Sequence, residues 1–124
     1  MLLDSNIVIY AVNPAYANIK EFLRGRSFSV SALTKIEVMG FWRLSEDEHQ
    51  QFNRFFQALE VIAVSPAVVE QAIALRRQKR IGLADAVIAA TALTQGLPLV
   101  THNSQDFQWI DGLEIIDPVS NSSP

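Results

Sequence analysis

Apolar residues fall along this chain in short blocks, some with the spacing of a strand and some with that of a helix. The opening Met1-Leu2-Leu3 reads as a short strand ending at Asp4. Ser5-Asn6 offers a cap, and residues 7–12 read as a short helix stopped before Pro14. Residues 15–23 suit a second helix ending near Gly25. Residues 27–31 (SFSVS) alternate polar and apolar, the period of a strand. A helix carrying Glu37 then runs from Ser31 or Ala32 to about Leu44. Ser45 and Glu48 form a capping-box pattern for the next helix, over residues 46–59. Residues 60–64 (EVIAV) read as a strand. Ser65-Pro66 is a cap followed by proline at the first helical position, and that helix runs to about Lys79. Residues 83–95 form another, with Gly96 placed as its left-handed terminator. Residues 97–101 and 113–116 read as the last two strands. A single domain thus spans residues 1–118, while Asp117-Pro118 and the tail at 119–124 are expected to fray.

Alternating strands and helices with short connections imply an α/β fold with a parallel sheet covered on both faces. Ligands of such sheets bind beyond the carboxyl ends of the strands. Asp4 stands at one such end, and Thr101-His102-Asn103 follows another. If these strands are neighbours, both loops open onto one crevice, into which helices carrying Glu37 and Asp85 can point.

Composition narrows the field. The chain has 124 residues, 49% hydrophobic and 19% charged, which reads as a globular domain large enough for a real core. It has no cysteine, which excludes disulfides and thiolate metal sites and fits a reducing, cytoplasmic setting. No apolar run approaches the roughly 20 residues that span a bilayer, so no membrane role is expected. Asp4 and Asn6 interrupt any signal-peptide layout at the N-terminus. A net charge of −3 argues against a general nucleic-acid binder, but not against an enzyme whose acids are gathered at a metal.

Asp4, Glu37 and Asp85 are each a lone charge among apolar neighbours. Burying even an uncharged polar group without a partner costs roughly 2–7 kcal/mol. A hard divalent cation held by all three is one common reason for such positions. Separately, Asp4 can be a helix cap, Asp85 a first-turn residue facing the helix dipole, and Glu37 solvent-exposed. Ser5, Asn6, Thr101 and Asn103 can fix carboxylate rotamers by hydrogen bonding, and Ser5 and Asn6 can equally cap the first helix. Arg76, Arg77, Lys79 and Arg80 are the concentrated basic stretch. They form either a phosphate track leading to Asp85 or a solvated helix end. His49 is expected to be exposed. His102 lies beside the candidate site as a general acid, a phosphate-facing group or a bystander. Phe52, Phe55, Phe56 and Leu59 form an apolar helix stripe, with Phe41 and Trp42 ending the helix before it. These aromatics pack in the core or line a groove for a partner helix.

In order along the chain, LLDSNIVIY, SALTKIEVMG, GLADAVIAATAL and THNSQDF resemble the four signature blocks of the PIN-domain nucleases. Length and block order resemble the VapC toxins of bacterial toxin–antitoxin pairs. The resemblance implies a metal-dependent endoribonuclease on a three-layer α/β/α fold with a central parallel sheet. It matches the family's acidic residues to Asp4, Glu37 and Asp85. The family's fourth acid often follows a Thr by two residues, and here Asn103 holds that place after Thr101. Either Asp106 reaches the site, or Asn103 supplies a neutral oxygen, or both act through water. The implied cofactor is Mg²⁺ or Mn²⁺, with Asp4 and Asp85 as direct ligands and Glu37 completing the cluster or orienting water. The implied partners are RNA, a VapB-type antitoxin whose C-terminal segment covers the site, and a second copy of the chain. Two other classes compete. A phosphatase on a doubly wound sheet would want a second Asp two residues after the first, where Asn6 stands. A binding protein that lost its chemistry finds support in Asn103, while retention of three acids argues against it.

Overall fold

The computed structural model describes residues 1–119. Five short strands, β1 (Leu2–Leu3), β2 (Ser29–Ser31), β3 (Glu60–Ile62), β4 (Leu99–Val100) and β5 (Ile115–Ile116), form one sheet. All four pairings are parallel, in the order β3-β2-β1-β4-β5. β1 is therefore central, with β2 on one side and β4 on the other. This places Asp4 and Thr101 on adjacent strand ends, as the crevice reading requires.

Six helices surround the sheet: α1 (Ser5–Ala11), α2 (Ala17–Leu23), α3 (Ala32–Met39), α4 (Glu46–Gln57), α5 (Pro66–Gln78) and α6 (Leu83–Gln95). Strand side chains alternate between faces, and that alternation divides the core. Leu2 and Leu99 pack with Val68, Ala72, Leu75 and the alanines of α6. Leu3, Val30 and Val100 pack on the other face with Ile7, Ile19, Phe52 and Phe56. The result is the three-layer α/β/α arrangement. Ala86, Ala89, Ala90 and Ala92 let α6 lie close to both sheet and α5. Its buried Thr91 hydroxyl donates back to Val87 O at 2.7 Å, so no polar group is stranded there.

Local signals set most boundaries. The Ser45–Glu48 capping box forms reciprocally. Ser65 Oγ accepts from Val68 N above Pro66, and Gly96 closes α6 at φ 66° and ψ 34°. Three expectations need correction. The helix carrying Glu37 ends at Met39, not near Leu44. Its stop is Gly40, where a side chain would put Cβ 2.6 Å from Ile36 O. Phe41 and Trp42 consequently sit in the exposed turn after the helix. The first helix is capped by Asp4, whose Oδ1 accepts from Ser5 N, and not by Ser5 or Asn6. Asp117 and Pro118 do not fray: the Asp117 side chain is 13% exposed, and Pro118 is buried. Val119 packs against the second core cluster. The remaining tail, residues 120–124, lies outside the described residues. No helix among the described residues is long and apolar enough to cross a membrane.

Candidate active site

Asp4 is a buried carboxylate with both oxygens hydrogen-bonded. It leaves β1 into the first turn of α1 and is only 5% exposed. Ser5 N donates to its Oδ1 at 2.8 Å, and Thr101 Oγ1 donates to its Oδ2 at 2.7 Å. Thr101 in turn accepts from Asn103 N at 3.0 Å, tying the turn after β4 to the end of β1. Burial raises the Asp4 proton affinity, and the charges of Glu37 and Asp106 raise it further against the lowering effect of its two hydrogen bonds.

Glu37 reaches the same region from α3. It is exposed on its helix, yet Ser5 Oγ donates to its Oε1 at 2.7 Å while standing 3.2 Å from Thr34 Oγ1. Ser5 thus links the two carboxylates, through its backbone to Asp4 and its hydroxyl to Glu37. Asp85 lies in the first turn of α6 and is half-buried. Burial first, then the charges of Asp4, Asp106 and Glu37, push its carboxyl up to about 6. Asp106 is exposed in a 3-10 turn at Ser104–Asp106, and Trp109 Nε1 donates to its carbonyl oxygen at 2.9 Å. Asp4 thus feels the charges of Glu37 and Asp106, and Asp85 those of Asp4, Asp106 and Glu37, although the four come from separate segments. Among the described residues, no lysine or arginine forms an ion pair with any of them.

The donor chemistry is that of a hard cation: carboxylate oxygens with hydroxyls and an amide nearby, and no sulfur. Among the described residues, no three acidic or imidazole groups converge closely enough to hold one ion between them. The set suits a hydrated ion held directly by one or two carboxylates, as Mg²⁺ prefers, with the others acting through water. Asn6 Oδ1 is the buried side-chain oxygen without a hydrogen-bond partner among the described residues. Asn103 holds Thr101 through its backbone, and its side chain does not cap the turn that follows.

The basic stretch is divided by the structure. Arg76 and Arg77 occupy the last turn of α5, where cations meet the negative end of the helix dipole. Lys79 and Arg80 instead line a cleft of about 260 Å³ with Gly82, Asp85, Asp106 and Trp109. Lys79 Nζ sits 5.6 Å from the centre of the Trp109 ring. Nothing in the spacing of the chain marks Trp109, which joins the cleft only because the turn after β4 folds back toward α5. Asp117 carried a signal that could have found it: it follows β5 as Asp4 follows β1 and Thr101 follows β4. His102 Nδ1 lies 3.3 Å from both Asp117 oxygens. His49 is exposed, as expected. Phe52 and Phe56 are core residues, whereas Phe55 lines a groove of about 710 Å³ with Leu23 and Phe28, rimmed by Lys20, Arg24 and Arg54.

A model of the PIN domain family matches residues 1–113. The chain belongs to the PIN domain family. Relatives of this PIN domain cover nearly its full length. Ribonuclease VapC2 of Rickettsia felis is 27% identical, the match covering 90% of this chain and 92% of the relative. The structure of a toxin–antitoxin complex from Klebsiella pneumoniae is matched with a TM-score of 0.80 and 29% identity, over 94% of this chain and 96% of that one. The structure of VapBC2 from Rickettsia felis bound to a promoter DNA fragment is matched with a TM-score of 0.75 and 27% identity, over 93% and 96%. The parallel sheet, its order and its helical layers are those of a PIN fold.

Proposed function

We propose that this PIN domain is a metal-dependent endoribonuclease that acts as the toxin of a toxin–antitoxin pair. The observation that carries the reading is the fixed Asp4 carboxylate, bound by Ser5 N and Thr101 Oγ1, with Asp85 raised beside it by the charges of Asp4, Asp106 and Glu37 and no lysine or arginine ion pair to any of the four among the described residues. These like charges make Asp4 and Asp85 hold their protons more tightly, and a bound cation relieves them. Similarity to Ribonuclease VapC2 and to toxin–antitoxin complexes supports the reaction class and the biological setting.

The cofactor is Mg²⁺ or Mn²⁺, held by Asp4 and Asp85, with Glu37 acting through water. When bound, such an ion acidifies a coordinated water and offsets charge on the reacting phosphate. The chain's own residues supply the rest. Thr101 and Ser5 hold Asp4 in one rotamer, so its oxygens need no reorganisation. Ser5 orients Glu37 to accept a proton from water. Asp106 fills the fourth acidic place, and Asn103 acts through Thr101. Lys79 and Arg80 bind RNA backbone in the cleft beside Asp85 and Asp106, with Arg76 and Arg77 adding to the field from the helix end. The apolar groove at Phe28 and Phe55, with its basic rim, suits an amphipathic segment of a VapB-type antitoxin. Exposed Ile36, Phe41 and Trp42 leave apolar surface for a second copy of the chain. The setting is cytoplasmic.

The test is cleavage of total RNA by the antitoxin-free chain with Mg²⁺ or Mn²⁺, compared with EDTA and with Asp4→Asn. Cleavage that needs both the metal and Asp4 is expected. A folded, metal-loaded chain that cuts nothing, or an Asp4→Asn variant with full activity, refutes the proposal.

A further inference from the structure

The 3-10 turn at Ser104–Asp106 is a ridge between two clefts, and Gln105 and Asp106 line both. On one side lies the cationic cleft of Lys79 and Arg80. On the other lies a cleft of about 330 Å³ lined by His102, Asn103, Ser104, Gln105, Asp106 and Asp117. Among the described residues the second is lined by no lysine or arginine, and its two carboxylates repel a phosphate. Its side chains are those that read a base edge: two amides, a hydroxyl, an imidazole and acceptor-only carboxylates. The Asn103 and Gln105 side chains are exposed and make no hydrogen bond among the described residues.

His102 is built into this cleft. Its side chain is 39% exposed, and the Asp117 carboxylate anchors Nδ1, which fixes the ring and leaves Nε2 uncommitted. Tyr10 buttresses the ring edge-to-face at 6.1 Å and is itself stacked on Tyr16 at 4.1 Å. A partly exposed, rigidly held aromatic ring beside free amides is what recognition of an unstacked base in single-stranded RNA requires.

We propose that this cleft binds one nucleobase of the RNA strand whose backbone crosses the Asp106 ridge, and that it favours a base bearing an exocyclic amine, such as cytosine, over uracil. The inference rests on the nuclease reading above and names the feature of the substrate that it selects. His102 supplies the stacking face. The Asn103 and Gln105 amides and the exposed Asp106 carboxylate meet the base edge, while Asp117 holds the His102 ring. Cytosine can donate its amine to an acceptor-only carboxylate, whereas uracil turns a carbonyl oxygen toward it.

The test is a fluorescence-anisotropy titration of the chain with labelled oligocytidine and oligouridine of equal length in EDTA, where cleavage does not consume the probe. Oligocytidine should bind about fivefold or more tightly than oligouridine. Gln105→Ala should bring that ratio toward one without lowering Tm, His102→Ala should do the same to the ratio at some cost in Tm, and Lys79→Ala should weaken both probes alike. Equal affinity of the wild-type chain for the two probes overturns the proposal. So does a preference that both cleft variants leave intact. Variants that keep the preference but lose a bound polypeptide partner would assign the cleft to that partner, and also overturn it. The titration needs neither metal nor cleavage. A chain that prefers oligocytidine yet cuts no RNA would therefore refute the nuclease reading alone.

Discussion

Asp85 offers a direct measure of the electrostatic strain in the site. Its carboxyl is raised from 3.8 to about 6, first by burial and then by Asp4, Asp106 and Glu37. The folded chain therefore holds this proton more tightly than the unfolded chain does. The stability it contributes is fully present below the ordinary value of 3.8 and is lost as pH rises through about 6. Each pH unit is worth about 1.4 kcal/mol, so the rise amounts to about 3 kcal/mol at face value. Asp85 is half-exposed, and screening by water reduces this to about 1.5 kcal/mol. An ionised carboxylate in the first turn of α6 gains about 0.5 kcal/mol from the helix dipole, leaving a net strain of about 1 kcal/mol. No hydrogen bond contributes to the shift, so Asp85→Asn removes the charge at little other cost. In EDTA at about pH 7.5, Asp85→Asn should melt about 3–5 °C above the wild-type chain. At about pH 4.5 the gap should shrink to about a third, and it should close only below the ordinary value of 3.8, where the group is protonated in both states. Mg²⁺ should raise the melting temperature of the wild-type chain and have a smaller effect on the variant. Differential scanning fluorimetry across this range measures all three. A variant that melts lower in EDTA at neutral pH, or a gap independent of pH, refutes the reasoning.

Thr101→Val removes a buried hydroxyl that serves both Asp4 and Asn103 N, and should cost about 1–3 kcal/mol in urea unfolding. It should also lower kcat more than it raises KM, because Asp4 loses its fixed rotamer; an equal loss in each would argue against a positioning role. Lys79→Ala and Arg80→Ala should each reduce the slope of log affinity for single-stranded RNA against log salt by about 0.7. Arg76→Ala, outside the cleft, should change it less, and equal slopes for all three would dissolve the distinction drawn between them.

The elements that could be read from the chain are those fixed by interactions a few residues long. The Ser45–Glu48 box, the Ser65-Pro66 start and the Gly96 stop each satisfy or terminate a helix end with local groups, and all three occur where expected. Where a local signal was overridden, the reason is equally local in space. The apolar Phe41 and Trp42 extended the apparent helix pattern, but the close approach of Gly40 to Ile36 O ends it. Asp4, Glu37 and Asp85 stood out because each is a charge set in an apolar block, and the structure brings them within one another's field.

What the sequence determined by itself was therefore the alternation of elements, the parallel sheet and the carboxylates at its carboxyl edge. Hydrophobic period, capping chemistry and the cost of burying charge all act within a few residues of the chain. Tertiary structure alone decided that β4 lies beside β1, which lets Thr101 reach back 97 positions to Asp4. It also decided that Lys79 and Arg80 share a cleft with Trp109, while Arg76 and Arg77 serve a helix end. The pairing of Asp117 with His102 was likewise its decision. These contacts join residues whose distance is set by strand order and helix packing. Neither leaves a trace in the spacing of residues along the chain.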